Sequence, residues 1–309
     1  MIFFTFCLNF QLYKKNNIKT IMINKLLNIE FNYQVDAKTL TTIKTKGIVK
    51  GVFYPKNEKE LIDVYNFLIK NEIPFDIIGN GSNILFSEKC HDIILISTKK
   101  IKQTLKIKDN FVYCSSSVML NTIFQKTYIK GLSGFEYLAG IPASTGGAIK
   151  MNAGAFGHCI FDFVEKIKIF KDGKTKYITK KQIDYKYRKS NLEDSLILSA
   201  KFKLNHDDKC NIYKKYISFL TLRKQKQPQG FSAGCIFKNP PNYSAGELID
   251  KCGLKGIKQN DAQISEKHAN IIVNNGNATF DDIITLINLC KIKVKEKFNI
   301  YLELEIKII

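Results

Sequence analysis

Arginine is almost absent from this chain. Only two of its 48 basic residues are arginine, Arg188 and Arg223, and the lysines are scattered along the whole sequence. Nucleic-acid-binding surfaces use arginine as the main reader of bases and phosphates, gathered on one face. The net charge of +20 therefore indicates a general lysine bias, and we expect no nucleic-acid partner. Both arginines become candidate functional residues, because a guanidinium fork binds a carboxylate or phosphate in a way that lysine does not.

Closely spaced cysteines and long apolar runs are also lacking. The eight cysteines include no CxxC pair, so we expect neither a disulfide framework nor a metal site, and reduced thiols in a cytoplasmic protein fit best. No apolar run reaches the roughly 18 residues that cross a membrane, so no membrane partner is expected. Residues 1–21 are apolar but lack a basic start and a cleavage site, and a second Met follows at position 22. We expect a non-native or disordered extension there, with a signal peptide as the alternative.

The remaining chain has the composition of a globular protein. Its 309 residues are 45% hydrophobic and 12% aromatic, enough for two or three domains with sizeable cores. Strand and helix patterns both occur along it, which fits an α+β fold. The changes of pattern divide it at residues 22–97, 98–204 and 205–309.

Asn57 is expected to begin a helix with the apolar stripe Leu61, Tyr65, Leu68 and Ile69, and Ser244 a second helix. Hairpins are expected around Asp109-Asn110 and Asp172-Gly173. Residues 207–226 are expected to form an amphipathic helix with Ile212, Tyr216, Phe219 and Leu220 facing inward.

The stretch from position 131 to 157 reads GLSGFEYLAGIPASTGGAIKMNAGAFG and holds seven of the chain's 18 glycines. Repeated glycine argues against an ordinary helix, and the scarcity of charge argues against a linker. Tight turns with exposed backbone amides form anion cradles, for which a phosphate or pyrophosphate is the usual guest. A buried structural turn region is the alternative interpretation.

A second glycine loop, residues 79–83 with the sequence GNGSN, directly follows the predicted strand at residues 75–78. A strand that runs into a glycine loop is also typical of a phosphate cradle. The loop is not a Rossmann fingerprint, because the third glycine and the following helix are missing. Two cradles about fifty residues apart suggest one extended ligand held at several points, and a dinucleotide such as FAD has the required length.

Three further segments hold candidate chemistry. Arg188 lies in the loop IDYKYRKSNL, among tyrosines and polar residues, where it could bind a carboxylate or phosphate or be merely solvated. Cys235 lies in FSAGCIFKNP, between a glycine and a strand-like pair. Glu305 lies in the final strand YLELEIKII, and alternation alone predicts an exposed carboxylate there. Glu303 shares its face, so spacing does not separate the two.

The ordered set of these segments resembles one known family. IIGNGSNIL, GFEYLAGIPASTGGAIKMNAGAFG, YRKS, RKQKQP, SAGCIFKNP, SEKHANIIVN and LELEI together resemble the UDP-N-acetylenolpyruvoylglucosamine reductase (MurB) family of peptidoglycan synthesis, over residues 40–309. The resemblance implies a two-lobed FAD-binding domain of the vanillyl-alcohol-oxidase (PCMH-type) class, followed by a C-terminal α+β substrate domain. The direct junction after YRKS resembles the shorter, second type of the family.

The resemblance also implies the chemistry. In the family NADPH reduces FAD and leaves, the enolpyruvyl UDP-sugar takes its place, and flavin N5 gives hydride to the enol ether. Arg188 and Glu305 match the residues that polarise the substrate carboxylate while negative charge develops on the neighbouring carbon. A proton donor then quenches that carbon. The donor is usually serine, and here the position holds Cys235.

Cys235 is the main departure from the family pattern. A free thiol has a pKa of about 8.5, so Cys235 could donate a proton readily, although an exposed thiolate would risk oxidation by peroxide. The alternative is that water or a neighbour donates and Cys235 only packs. Two milder departures are Ala143, where glycine is common, and Leu304, where proline is common.

The remaining site residues are expected from the same resemblance. Those expected to bind FAD are Gly79, Asn80, Gly81, Ser82, Asn83, Gly140, Ile141, Pro142, Ser144, Gly146, Gly147, Asn152, Ala153 and Gly154. Those expected to bind the UDP-sugar are Tyr187, Lys238, Asn239 and His268. For His268 a purely structural role is the alternative. Two other functions stay open at this point: another FAD-dependent oxidase or oxidoreductase of the same superfamily, and a non-enzymatic nucleotide-binding protein.

Overall fold

A computed structural model describes residues 28–309 of the chain. The expected N-terminal extension at residues 1–21 lies outside the described residues. The described part contains three main β-sheets with helices packed against them. None of the helices from residue 28 onward is long and apolar enough to traverse a bilayer.

The first sheet has three parallel strands and one antiparallel edge strand. In spatial order its strands are Phe31–Asp36, Ile48–Phe53, Cys90–Ser97 and Phe75–Ile78. The helix Glu58–Lys70 begins at Asn57, whose side chain accepts a hydrogen bond from the Glu60 amide. It buries Leu61, Val64 and Leu68. The apolar stripe was predicted to include Ile69, but that side chain is 56% exposed, because Val64 takes the core-facing position.

The second sheet has five antiparallel strands. In spatial order they are Lys174–Thr179, Val164–Lys171, Leu196–Lys203, Phe111–Ser115 and Leu105–Lys108. The two hairpins predicted from Asp109-Asn110 and Asp172-Gly173 are both present, and Asp109, Asp172 and Gly173 have positive φ. One face of the sheet shares a core with the helix Leu120–Ile129.

The glycine-rich stretch does contain a helix, contrary to the prediction from its composition. Thr145–Lys150 is a short helix begun by Ser144, and it contains Gly146 and Gly147. A Cβ on Gly146 would lie 2.9 Å from the Ser116 Cβ. The helix lies against Ser116, which directly follows the strand Phe111–Ser115, and only glycine fits at position 146. This close packing outweighs the low helix propensity of glycine.

The third sheet is antiparallel and forms the core of the C-terminal part with two helices. Its strands are Phe231–Cys235, Ile271–Asn274, Ala262–Ile264 and Lys258–Gln259. The helix Ala245–Lys251 begins at Ser244, and Phe280–Phe298 begins with a capping box formed by Thr279 and Asp282.

The helix Lys209–Lys226 packs against the helix Leu120–Ile129 and residues 132–138, which share a core with the second sheet. Its buried residue, Ile212, belongs to the core of the second sheet. Tyr216 stacks on Phe124, with ring centroids 4.0 Å apart. Tyr216, Phe219 and Leu220 were predicted to face inward with Ile212. All three are half-buried, and Tyr216 and Phe219 pack against the same core as Ile212, so the predicted inward face is confirmed for them.

The C-terminal segment, residues 300–309, is less regular than the predicted strand. Only Lys307–Ile308 is a strand, and it pairs in parallel with the short strand Ile84–Leu85, which lies between two strands of the first sheet in the sequence. Leu302 and Ile306 are buried, whereas Ile308 is 37% exposed. The apolar alternation therefore describes the middle of the segment and not its end, where the chain leaves one core for another.

Two glycines with the same backbone conformation allow a test of this packing. Gly81 and Gly173 have φ near +70°, but a Cβ on Gly81 would lie 2.1 Å from the Leu40 carbonyl oxygen, and one on Gly173 would meet nothing within 4 Å. Left-handed backbone costs either alanine variant about 1–2 kcal/mol. We expect Gly81→Ala to lose about 1–3 kcal/mol more than Gly173→Ala, as in other overpacked sites. Urea unfolding of ligand-free protein measures both, and equal losses would contradict the close approach.

Candidate active site

Arg188 lies at the tip of a small hairpin. The strands Tyr185–Lys186 and Lys189–Ser190 pair, and Arg188 is in the left-handed region with φ +55°. The hairpin is bound to the glycine-rich stretch by two side chains: Asn152 Nδ2 donates to the Lys186 carbonyl at 2.9 Å, and Ser190 Oγ donates to the Lys150 carbonyl at 3.1 Å. Strained backbone that is held on both sides is typical of functional sites.

The Arg188 side chain forms an ion pair with Glu305. Arg188 Nε lies 2.7 Å from Glu305 Oε1, and the two side chains are only 20% and 13% exposed. Arg188 Nη2 also donates to the Gly154 carbonyl at 3.1 Å, and the Tyr187 ring lies 5.0 Å from the guanidinium carbon. The prediction from alternation, that Glu305 is exposed, is therefore wrong, because the segment turns this residue toward the cleft.

Glu303, two residues earlier, has a different environment. Its side chain is 73% exposed and pairs with Lys238, whereas Glu305 pairs with Arg188. Burial raises the pKa of the Glu305 carboxyl, and Arg188 and then Lys238 act in the opposite direction. The structure thus separates two carboxylates that spacing left equivalent.

Cys235 ends the strand Phe231–Cys235 after a β-bulge. Ser232 pairs with Val273 and Cys235 pairs with Ile271, so the strand has one extra residue, and Gly234 has φ +74°. Bulges redirect side chains near active sites. The next residue, Ile236, accepts a 2.8 Å hydrogen bond from the Glu305 amide, so the backbones that carry Cys235 and Glu305 run side by side.

The Cys235 thiol is held in its protonated form. Burial raises its pKa to about 11, and the Glu305 charge also raises it, while Arg188 and Arg223 act in the opposite direction. The pKa of a free thiol is about 8.5, so Cys235 is less acidic than its sequence alone suggested. The same environment suppresses the thiolate that oxidants attack.

Arg223 is a site residue that the motif comparison did not assign. Its guanidinium lies 5.6 Å from the Phe156 ring centre, and its Nη1 donates to Gln227 Oε1 at 3.2 Å. Its charge acts on Cys235 and on Arg188. Both arginines of the chain therefore meet at one site. The rarity of arginine was the sequence signal that made Arg223 a candidate functional residue.

The GNGSN loop (residues 79–83) joins the two lobes. Asn80 Nδ2 donates to the Pro142 carbonyl at 2.8 Å. A Cβ on Gly79 would lie 2.6 Å from Ser144 Oγ. The two glycine loops that sequence analysis separated thus face each other, as expected if both hold one ligand. Asn83 differs from the rest, since its side-chain amide donates to the Glu305 carbonyl at 3.1 Å.

Other predicted cofactor residues have identifiable backbone roles. Gly140 approaches Arg223 so closely that a Cβ there would lie 2.8 Å from its Cδ. The Gly147 amide donates to Ser144 Oγ at 3.4 Å. The Ala153 amide donates to the Ala148 carbonyl, and the Ala153 carbonyl accepts from the Ile160 amide. The Ile141 amide donates to the Leu138 carbonyl. Within residues 28–309 the Ser82 side chain makes no hydrogen bond.

Three of the four predicted substrate residues lie beside the ion pair. The Asn239 amide lies 3.5 Å from the Tyr187 hydroxyl, and Lys238 acts electrostatically on Glu305. Asn239 Oδ1 also accepts from the Ala245 amide at 3.0 Å, which organises the start of helix Ala245–Lys251.

His268 lies against the start of helix Ala245–Lys251, where its Cε1 is 3.2 Å from the position of a Cβ on Gly246. Its Nδ1 accepts a hydrogen bond from the Asn270 amide at 3.3 Å, and burial lowers its pKa, so the ring is neutral. No hydrogen bond or ion pair joins it to Arg188 or Glu305 within the described part of the chain. Residues 28–309 also contain no group of three His, Cys, Asp or Glu side chains arranged to hold a metal ion.

Comparison with known proteins places this geometry in a family. Residues 225–309 match the C-terminal domain of UDP-N-acetylenolpyruvoylglucosamine reductase, and residues 49–178 match an FAD binding domain. The reductase of Petrotoga mobilis is 39% identical, covering 87% of this chain and 91% of that protein. The reductase of Chloroherpeton thalassium is 37% identical, covering 87% and 90%.

A solved structure agrees with the sequence comparisons. The crystal structure of the reductase (MurB) from Thermus caldophilus has a TM-score of 0.78 and 34% identity, covering 91% of this chain and 98% of that one. The expected α+β fold, with a two-lobed FAD-binding domain and a C-terminal α+β domain, is confirmed.

The state of the Cys235 thiol can be measured directly. With a pKa of about 11, its thiolate is on the order of one part in a thousand at pH 8. We expect iodoacetamide to alkylate Cys235 slowly at pH 7–8, with the rate rising about tenfold per pH unit up to pH 10. Peptide mass spectrometry separates this cysteine from the exposed Cys210, whose prompt alkylation checks the reagent. A rate that levels off below pH 9 would contradict the raised pKa.

Proposed function

The chain belongs to the UDP-N-acetylenolpyruvoylglucosamine reductase family, and from this premise we propose that Arg188, Cys235 and Glu305 perform the charge-stabilising and protonating steps of its reaction. The observation that carries the proposal is the buried Arg188–Glu305 ion pair, bound by a backbone hydrogen bond to the residue after Cys235. The chain is an FAD-containing, NADPH-dependent oxidoreductase of peptidoglycan precursor synthesis. Its reaction reduces the enolpyruvyl ether of UDP-N-acetylglucosamine to UDP-N-acetylmuramate.

The residues of the cleft fit a bound FAD. Gly79 and Gly146 lie where a Cβ would collide with Ser144 or Ser116, which leaves the backbone bare between the two loops. Asn152 Oδ1 and Arg223 Nε are buried without a hydrogen-bond partner among the described residues, and buried polar atoms normally have one. We propose that residues 79–83, 140–147 and 152–154 hold the cofactor.

FAD, when bound, supplies the hydride that the enol ether accepts at its methylene carbon, and NADPH restores it. Negative charge then develops on the neighbouring carbon and its carboxylate. Arg188 pairs with Glu305 through Nε and donates to the Gly154 carbonyl through Nη2, and its remaining N–H groups would bind that carboxylate in this proposal. Glu305 polarises the substrate carboxylate together with Arg188 in this proposal, while burial raises the pKa of the Glu305 carboxyl and Arg188 acts in the opposite direction.

Cys235 is the proton donor in this proposal. A pKa of about 11 keeps the thiol protonated at neutral pH, so the proton is present when the carbanion forms. The proton moves from Sγ to carbon, and the thiolate that remains is stabilised by Arg188 and Arg223, both of which lower the thiol pKa. Solvent then returns the proton. Arg223 thus acts on the donor and not on the substrate carbon.

The substrate and domain assignments extend the proposal. Tyr187, Lys238, Asn239 and His268 bind the UDP-sugar in this proposal, and the Asn239 amide lies beside the Tyr187 hydroxyl. We propose unit boundaries at residues 97 and 204, with the helix Lys209–Lys226 docked on the second unit. We also propose that the enzyme works in the reducing cytoplasm, because Cys235 has to remain a thiol.

Variants of Cys235 test the donor. We expect Cys235→Ser to retain turnover because a hydroxyl can occupy the same position. Cys235→Ala removes the proton and slows substrate reduction by about 100-fold or more, the range of general acid catalysis. The assay is anaerobic: NADPH bleaches the flavin, and the enolpyruvyl UDP-sugar restores its colour.

NADPH-driven bleaching should persist in both Cys235 variants, since it needs no proton from Sγ. Near-normal turnover of Cys235→Ala would sink the assignment of the donor. Recolouring of the wild-type flavin by oxygen alone, and not by the UDP-sugar, would overturn the proposed reaction.

A second pair of variants tests the carboxylate. Glu305→Gln keeps the shape but removes the charge and the acid, and we expect substrate-driven recolouring to slow by about 100- to 1,000-fold, as for other lost transition-state contacts. Glu303→Gln is the matched control two residues away. Its exposed ion pair with Lys238 contributes about 0–1 kcal/mol, so its rate should stay within about five-fold of wild type. Equal losses would mean that the segment matters and not Glu305 itself.

A further inference from the structure

Glu305 is attached to the C-terminal sheet through its backbone. Its amide donates to the Ile236 carbonyl at 2.8 Å, and the Lys238 amide donates to the Glu303 carbonyl at 2.8 Å. Leu304 and Phe237 form an antiparallel bridge between these bonds. One edge of the segment is thus fixed beside Cys235.

The opposite edge of the segment is bound by one residue of the GNGSN loop. Asn83 Nδ2 donates to the Glu305 carbonyl at 3.1 Å, and the Asn83 carbonyl accepts from the Lys307 amide at 3.0 Å. Asn83 therefore binds this segment twice, with its side chain at Glu305 and with its backbone at Lys307. It is the member of the loop that contacts a catalytic candidate directly.

The chain end strengthens this attachment. The Ile309 amide donates to the Leu85 carbonyl at 3.0 Å, and the Ile309 carbonyl accepts from Ser87 at 2.9 Å. The Lys307 ammonium pairs with the Asp76 carboxylate of the strand Phe75–Ile78. A displacement of the loop would consequently displace the backbone of Glu305, because the C-terminal residues 307–309 are hydrogen-bonded to residues 83–87, within and just after the loop.

The loop itself is held from its other side by both lobes. Asn80 Nδ2 donates to the Pro142 carbonyl, and the Gly81 carbonyl accepts from the Thr42 amide at 3.1 Å. A ligand that binds this loop therefore acts on the same few residues that hold the C-terminal segment.

We propose that Asn83 is a positioning residue, which couples the cofactor loop to the Glu305 carboxylate so that filling the loop and placing Glu305 are one cooperative event. The inference rests on the proposed function, since it assigns the loop to FAD and the carboxylate to substrate reduction. An error of about 1 Å in a catalytic group costs on the order of 100-fold in rate.

Asn83→Asp tests the coupling with the smallest change in shape. The carboxylate has no N–H to donate and places an oxygen against the Glu305 carbonyl. Asn80→Asp makes the same change in the same loop but removes the bond to Pro142. Asn71→Asp removes a comparable side-chain bond, to the Phe67 carbonyl at the end of helix Glu58–Lys70, far from the site.

Hydrogen exchange gives the readout that does not depend on activity. In wild type we expect FAD to slow exchange in a peptide spanning residues 303–309 relative to apoprotein. In Asn83→Asp that protection falls by about tenfold, the equivalent of one hydrogen bond, while in Asn80→Asp and Asn71→Asp it persists once FAD is bound. Unchanged protection in Asn83→Asp would overturn the proposal.

The half-reactions give the second readout. In Asn83→Asp loaded with FAD, with both rates expressed per bound flavin, we expect substrate-driven recolouring to slow by at least tenfold more than NADPH-driven bleaching. Asn80→Asp should weaken FAD retention without splitting the two steps. If Asn83→Asp slows both steps equally, or only releases FAD, Asn83 holds the cofactor without positioning Glu305, and the coupling is wrong.

Two further results keep the test decisive. If Asn83→Asp does not fold, Asn83→Ala removes the same donor without adding charge, and the same split is expected. If wild-type flavin is not recoloured by the UDP-sugar while FAD still protects residues 303–309, the proposed function fails and the coupling stands.

Discussion

The ion pair between Arg188 and Glu305 depends on every unit of the fold. Arg188 is presented by a hairpin that Asn152 and Ser190 bind to the glycine-rich stretch. Glu305 is presented by a segment held between the Ile236 carbonyl and Asn83. A half-buried pair is favourable only when its geometry is well fixed, and here the fixing groups come from loops and a hairpin of all three units. The active-site cleft is thus formed by the assembly of the units and by none of them alone.

The electrostatics of the cleft follow from that arrangement. Two guanidinium groups and one carboxylate surround a thiol in a poorly hydrated place, and burial has the largest effect on the thiol pKa. The result is a donor that is protonated before the reaction and has cationic neighbours after it. Substituting cysteine for serine is chemically tolerable here, since the same burial that keeps the proton on sulfur also limits oxidation.

Sequence reasoning performed well where local signals were strong. Asn57 and Ser244 begin helices as predicted, and the hairpins at Asp109 and Asp172 are present. It performed less well where tertiary contact overrides propensity. The helix Thr145–Lys150 forms despite its two glycines because Ser116 lies against it.

The glycine-rich stretch also shows how much of the site was accessible from the sequence. Its pairing with the GNGSN loop was inferred from two cradles and is visible in the bond from Asn80 to Pro142. Arg223 was noticed only as a rare residue, since nothing in its local sequence says that its helix packs on the second unit and brings it to Cys235.

The sequence by itself determined the α+β class, the family, the glycine loops and the three residues proposed for catalysis. These features depend on residue identity and on short spacing, which a linear pattern preserves. Only the tertiary structure distinguished Glu305 from Glu303, brought Arg223 to the donor, raised the Cys235 pKa and connected Asn83 to Glu305. Each of these depends on burial or on contact between distant segments, which a single sequence does not encode in any local pattern.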